Sequence, residues 1–154
     1  MNWLIPACAA LAALSACASS PVPPEAWIDF ATLEPGSPGN RYLLCSPDIC
    51  HAAGDPDEVL RFSHAADEVA AVIAQFEPSA VQRQLPNGDY QLKYVAVTPV
   101  ARFRDDVDVL VHAETEYSAE VAIYSRSRVG LSDLGKNRSR VDALIGRLRD
   151  ELGR

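Results

Sequence analysis

The sequence predicts an α+β domain in which an antiparallel sheet of about four strands carries two helices on one face. Two amphipathic stretches with helical spacing enclose a series of alternating apolar runs. The pair Asn87-Gly88 between two of these runs is typical of a β-hairpin, because both residues tolerate positive φ. With 154 residues, the chain is long enough for one core, and two helices covering a meander would bury it.

Residues 1–16, "MNWLIPACAALAALSA", predict a lipoprotein signal peptide. The run is apolar, carries no charged side chain and is short for a membrane span. It ends in Leu14-Ser15-Ala16-Cys17, which resembles the bacterial lipobox, whose Cys receives the lipid. The usual Lys or Arg near the start is missing, so an ordinary secreted protein is the alternative.

Residues 17–40 predict a lipidated Cys17 followed by a Pro-rich tether, since the prolines of "ASSPVPPEAW" favour an extended chain. We expect this tether to hold a single domain, residues 41–154, beside a membrane. Ala18 and Ser19 provide no acidic retention signal, which favours the outer membrane over the inner one. Trp27 and Phe30 are apolar exceptions that could pack onto the domain.

The first helix is predicted in "SHAADEVAAVIAQF", with Ser63 as its N-cap and Pro78 blocking its continuation. The strands follow on both sides of Asn87-Gly88 and in "DVDVLVH" and "EVAIYSRSR". In "DVDVLVH" the three valines share one side, and Asp106 and Asp108 lie on the other. The last helix, in "LGKNRSRVDALIGRLRDEL", has an apolar stripe that includes Val141 and Leu144.

The charge is unevenly distributed along a chain whose net charge is −7. From Ser125 onward there are eight Lys or Arg and four Asp or Glu, whereas six Lys or Arg and seventeen Asp or Glu precede it. An acidic body repels nucleic acid, so no nucleic-acid partner is predicted.

Cys45 and Cys50 are predicted to form a disulfide, because an even pair remains in an oxidising compartment once Cys8 and Cys17 are assigned to the leader and the lipid. A metal site that adds His51 and perhaps His64 is the alternative. A single Cys-x4-Cys spacing is a weak zinc signal. We therefore predict no metal and no cofactor.

The basic stretch "SRSRVGLSDLGKNRSR", residues 125–140, is the candidate site. Helical spacing from Val141 places Asn137 and Arg138 toward the sheet, where a cation needs an acidic partner. One alternative is a structural joint between Arg138 and Asp106 or Asp108. The other is an anion site at the helix start. The candidate residues are Arg126, Arg128, Ser132, Asp133, Asn137, Arg138, Asp106 and Asp108.

The segment Arg128–Arg138, "RVGLSDLGKNR", resembles the C-terminal signature of the domain-of-unknown-function family DUF1499. "FRDDVDV", with Phe103 and Asp105–Val107, is similar to an upstream segment of that family. The resemblance covers roughly residues 41–150. It implies that the acidic and basic segments belong together, and it implies no activity.

The sequence therefore favours a non-catalytic envelope lipoprotein, a binding or interaction module tethered to a membrane. Its expected partners are the membrane, an envelope protein or a small anionic ligand. The alternative is a hydrolase-like enzyme that binds an anion or phosphate through Asp105, Asp106, Asp108 and Arg138. Gly-x-Ser-x-Gly and His-Glu-x-x-His motifs do not occur, and neighbouring Arg residues would keep the carboxyl groups ionised.

Overall fold

The computed structural model describes residues 27–36, 39–54, 59–99 and 102–153. The predicted signal peptide and Cys17 lie outside this part of the chain. The elements are β1 Arg41–Leu44, β2 Arg61–Phe62, α1 Ala66–Phe76, β3 Val81–Gln84, β4 Tyr90–Val97, β5 Arg104–Thr115, β6 Ser118–Ser127 and α2 Lys136–Leu152. None of the helices described is long and apolar enough to cross a membrane.

The strands form one six-stranded antiparallel sheet with the order β1-β6-β5-β4-β3, and β2 pairs with β6. The α+β class is therefore confirmed, with more strands than the predicted four. The additional strands are β1 and β2, which contain four and two residues. Such short strands hold too few residues for an alternating pattern to be recognised.

Both helices pack on the same face of the sheet, where the main core lies. Val69 and Ile73 of α1 and Leu148 of α2 are buried there against Val109 and Ile123 of the two central strands. The alternation predicted for β5 holds, because Val109 and its odd-numbered neighbours face the helices. Ser63 does not cap α1, whose N-cap is Ala65 without a side-chain hydrogen bond.

The opposite face of the sheet is also covered, by residues 27–36 and by the loop that follows β1. Phe30 packs there in a second apolar cluster with Leu110 and Tyr124 of the sheet. The same cluster contains Cys45 and Cys50, which are joined by a disulfide with a Cα–Cα distance of 5.9 Å. The central strands are thus buried on both faces.

Residues 27–36 fall within the range that the sequence predicted as a tether, and they lie against the sheet. Phe30 is 2% exposed. The guanidinium of Arg83 lies 4.7 Å from the centre of the Trp27 ring, and the side chain of Gln91 donates a hydrogen bond to the carbonyl oxygen of Ile28 at 3.1 Å. The folded unit therefore includes chain that precedes Arg41.

Candidate functional site

An open groove of about 780 Å3 lies where β4 ends, β5 begins and the basic loop leads into α2. Antiparallel pairing brings these three places together at one end of the sheet. The lining residues are Asn40, Ala96, Val97, Thr98, Pro99, Phe103, Asp105, Ser127, Val129, Gly130, Ser132, Asp133, Leu134, Lys136 and Arg140. The groove thus joins the acidic and basic segments that the sequence singled out.

The walls of the groove carry large apolar side chains that are exposed to solvent. Their exposed fractions run from 44% for Val97 through 55% for Phe103 and 59% for Val129 to 88% for Leu134. Leu131, in the same loop, is fully exposed. Exposed apolar side chains that gather around one groove mark a binding or contact site more often than isolated exposed side chains do.

The floor of the groove is held by an ion pair between Asp105 of β5 and Arg140 of α2. Arg140 Nη2 lies 2.6 Å from Asp105 Oδ2, and the two side chains are only 19% and 2% exposed. Arg140 Nη1 also donates to Ser125 Oγ and to Asn137 Oδ1, each at 2.9 Å. The pair therefore connects the start of α2 to two strands of the sheet.

Asn137 is the fully buried centre of this network. Its Nδ2 lies within hydrogen-bonding distance of Asn40 O at 3.1 Å, Ser127 Oγ at 3.0 Å and Asp133 Oδ2 at 2.6 Å. Its Oδ1 accepts a hydrogen bond from Ser125 Oγ at 2.6 Å. A buried network of this kind, in which every polar atom of the Asn137 side chain is bonded, fixes the geometry of the elements it joins.

Asp133 binds the amides at the start of α2. Its carboxylate accepts hydrogen bonds from the backbone N–H groups of Gly135 and Asn137, each at 2.9 Å. Burial alone would raise the pKa of Asp133. The hydrogen bonds from the Asn137 and Gly135 amides and from the Asn137 side chain outweigh burial, so the pKa lies below its ordinary value.

Two non-glycine residues of the described chain have a left-handed backbone; one lines the groove and the other precedes a lining residue. Leu134 has a φ of 52° and Arg102, next to Phe103, has a φ of 56°. A branched or long side chain rarely adopts this conformation without a cost. In Leu134 it accompanies a side chain that is almost entirely in solvent.

Arg138 does not take the place that the sequence predicted for it. Its side chain is 65% exposed and lies 3.8 Å from Asp142, one helical turn later. Its guanidinium also lies 5.3 Å from the centre of the Tyr42 ring. The predicted pairing of Arg138 with Asp106 or Asp108 is wrong, because both acids lie on the sheet face opposite α2.

Asp106 and Asp108 have other partners on that opposite face. Asp106 binds Arg128 at 2.7 Å and lies 3.9 Å from Arg126. Lys93 Nζ lies 3.2 Å from Asp108 Oδ1, and both side chains are buried. This contact is a buried ion pair. Burial raises the pKa of Asp108, and Lys93 opposes that rise.

The structure therefore divides the predicted site residues into three groups, one of which is Arg138 alone, in solvent beside Asp142. Ser132 and Asp133 line the groove, and Asn137 is buried in the network beneath it. Arg126 and Arg128 lie on the other face of the sheet with Asp106 and Asp108. His64, considered as a metal ligand, lies near Glu68 and the carbonyl oxygen of Leu152. No cluster of three or more His, Cys, Asp or Glu that could hold a metal occurs among the described residues.

Sequence reasoning missed the role of Arg140, although a signal for it was present. Arg140 follows Asn137 by three residues and precedes Leu144 by four, so it lies on the same stripe as these two buried residues. It also missed Asn40 and Phe103 as lining residues. Their positions depend on the pairing of distant strands, which local spacing does not reveal.

The fold and the groove define a class of protein: a two-layer α+β domain with an apolar-walled groove at one end of its sheet. The family model described as "Protein of unknown function (DUF1499)" matches residues 47–148, about two thirds of the chain. The chain belongs to this family. No curated protein and no solved structure matches this chain.

Proposed function

We propose that this protein is a lipid-anchored envelope protein whose domain is a non-catalytic binding module, with the groove as its binding site. The observation that carries the proposal is the groove itself. Exposed Val97, Phe103, Val129 and Leu134 surround a volume of about 780 Å3 above a rigid polar floor. Predominantly apolar walls with a few fixed polar groups are typical of ligand sites.

A binding role fits the state of the acids better than a catalytic one. Asp105 is held by Arg140, and Asp106 by Arg128. A carboxylate oxygen that already binds a guanidinium is engaged in a structural contact and is less available to a substrate. These acids connect neighbouring elements through Arg140 and Arg128, and not through Arg138, which the sequence predicted as the cation of the structural joint.

The arrangement of the cations opposes a phosphate-binding hydrolase. Arg126 and Arg128 lie on the sheet face opposite the groove, with Asp106. Arg138 lies in solvent beside Asp142. Asp133 already occupies the amides at the start of α2 that would otherwise attract an anion.

The lipid anchor follows from the predicted lipobox that ends at Cys17, and the outer membrane is the favoured location. Trp27 contacts Arg83, whose partner in β4 is Gln91, near the start of that strand. The groove lies at Val97, six residues further along β4 or about 20 Å away. A domain tethered from the Trp27 end would present the groove away from its anchor, toward an envelope partner or ligand.

The anchor is tested by detergent-phase partitioning of the chain expressed in a bacterial envelope. The wild-type protein should enter the detergent phase, and Cys17→Ser should remain in the aqueous phase. Cys8→Ser is the matched control, since Cys8 would leave with the signal peptide. Partitioning that survives Cys17→Ser would refute the anchor.

The groove is tested with the fluorescent apolar probe N-phenyl-1-naphthylamine. We expect Leu134→Asn to weaken probe binding several-fold, because it removes an apolar wall while Asn tolerates the left-handed backbone. Tyr117→Ser is the control, as Tyr117 is exposed in the turn at the other end of the sheet. If both variants lose probe binding equally, or if neither loses it, the groove is not the site that binds the probe.

A further inference from the structure

We infer that the ligand of the groove combines an apolar body with an uncharged hydroxyl head, and that this hydroxyl donates its one hydrogen bond to Asp105. The inference rests on the proposed function, since it specifies the ligand class of the same groove. It starts from two polar atoms at the floor that the fold buries and leaves unbonded.

Asp105 Oδ1 and Asn40 Oδ1 are buried and have no hydrogen-bond partner among the described residues. Both residues line the groove. Their other polar atoms are engaged: Asp105 Oδ2 accepts from Arg140, and Asn40 Nδ2 donates to the carbonyl oxygen of Gly130 at 2.9 Å. A buried acceptor without a donor is costly, and each such atom in a native fold calls for an explanation.

Both unbonded atoms are acceptors, so a group that satisfies either of them must be a donor, and the single hydrogen of a hydroxyl can satisfy one of them. The donor that binds the other oxygen of Asp105 is already used. Arg140 donates to Asp105, Ser125 and Asn137. A carboxylate, a phosphodiester or an ether brings only further acceptors to this floor.

The charges around the groove favour a neutral donor over an ammonium group. Asp105 and Asp133 carry two negative charges, and Lys136 and Arg140 carry two positive ones. A site without net charge offsets little of the free energy that is needed to remove an ammonium group from water. A hydroxyl requires less free energy to desolvate. Lys136 at the exposed rim could attract an anion, but such a pair is screened and weak.

The apolar part of the ligand would contact the walls. Val97, Phe103 and Leu134 expose large side chains whose burial against a hydrocarbon or ring is favourable. The hydroxyl then sets the orientation, as a few fixed polar groups do in other apolar sites. An amphiphilic lipid alcohol and a free alcohol of similar size share this chemistry.

The experiment uses the chain without residues 1–17, which keeps every described residue. Three probes of equal chain length compete with N-phenyl-1-naphthylamine: 1-octanol, methyl octyl ether and octanoate. We expect 1-octanol to bind about tenfold more tightly than either of the other two, because only its head can donate a hydrogen bond at neutral pH.

Asp105→Asn provides a second readout. Its amide oxygen can still accept from Arg140, which places the NH2 group where Oδ1 was and turns an acceptor into a donor. The preference for 1-octanol over the ether should then largely disappear. If this variant does not fold, the wild-type series with the three probes decides alone.

The outcomes separate this inference from the proposed function. If none of the three probes displaces the fluorophore, the groove is not a ligand site and both fail. If the ether or octanoate binds as tightly as 1-octanol, the groove binds apolar molecules and the hydroxyl inference is overturned. A preference for 1-octanol that Asp105→Asn abolishes supports both.

Discussion

Arg140 and Arg138 lie two residues apart on the same helix, and they differ in what surrounds them. Arg140 binds a buried carboxylate and two buried polar side chains, whereas Arg138 contacts Asp142 in solvent. Burial decides the energetic weight of an ion pair, since a charge left alone in a low-dielectric interior cannot be resolvated. Arg140 and Arg138 are therefore a matched pair for mutagenesis.

We expect Arg140→Ala to lower the free energy of unfolding by about 3–5 kcal/mol, because it leaves Asp105 buried and unpaired. Arg138→Ala should cost about 1 kcal/mol or less. Urea denaturation of both variants in the same buffer measures the difference. Similar losses would mean that the Asp105–Arg140 pair does not hold α2 to the sheet.

Asp133→Ala should cost about 1–2 kcal/mol at pH 7, because the amides at the start of α2 lose their acceptor. The folded-state pKa of Asp133 lies below its ordinary value of 3.8, so its ionised form contributes fully above that pH. The contribution disappears as the pH falls through the lower, folded-state pKa. Denaturation curves between pH 7 and pH 2.5 should show the two proteins converging.

Ser132→Ala is the control for Asp133, because the Ser132 hydroxyl accepts only one long hydrogen bond, from the Leu134 amide at 3.3 Å. Its effect should stay within about 0.5 kcal/mol at every pH. A pH-independent deficit for Asp133→Ala would show that the carboxylate acts through packing and not through its charge.

At the scale of elements, the sequence predicted those parts whose signals are local. The stripe through Val141 and Leu144 predicted α2, and Asn87-Gly88 predicted the β3–β4 hairpin, where Gly88 has a φ of 93°. The sequence predicted that an acidic residue of β5 would pair with a cation of α2, which is the kind of contact that forms the floor of the groove. It did not predict which two residues form that pair. Which face of β5 the helices cover is a tertiary choice, and it decides that Asp105 faces α2 and Asp106 does not.

The disulfide loop after β1 makes a contribution to the free energy of unfolding that can be measured separately. Cys45 and Cys50 close a short loop, for which the loop-entropy model gives about 2 kcal/mol. We expect reductant to lower the stability of the wild-type protein by about this amount and to leave Cys45→Ser/Cys50→Ser unchanged. Two thiols that react with an alkylating reagent before reduction would contradict the disulfide.

At the scale of the whole molecule, the sheet is covered on both faces by chain that is distant in sequence. The helices cover one face, and residues 27–36 with the disulfide loop cover the other. The domain therefore depends on residues that precede the family match at 47–148. A fragment that begins at Arg41 would expose Leu110 and Tyr124 of the second cluster.

Phe30→Ala should lower the free energy of unfolding by about 3–5 kcal/mol, as expected when a buried aromatic side chain is removed. Glu34→Ala, in the same segment, is the matched control and should have little effect. Urea denaturation measures both. Wild-type stability of Phe30→Ala would show that residues 27–36 do not belong to the folded unit.

The central claim is that the groove is the ligand site, and amide chemical shifts in a titration with 1-octanol test it most directly. We expect the signals of Val97, Phe103 and Leu134 to move together and to saturate, while that of Tyr117 stays in place. Shifts centred instead on Leu60, in a separate cavity of about 410 Å3 beside Arg149, or no saturable shifts at all, would contradict the account.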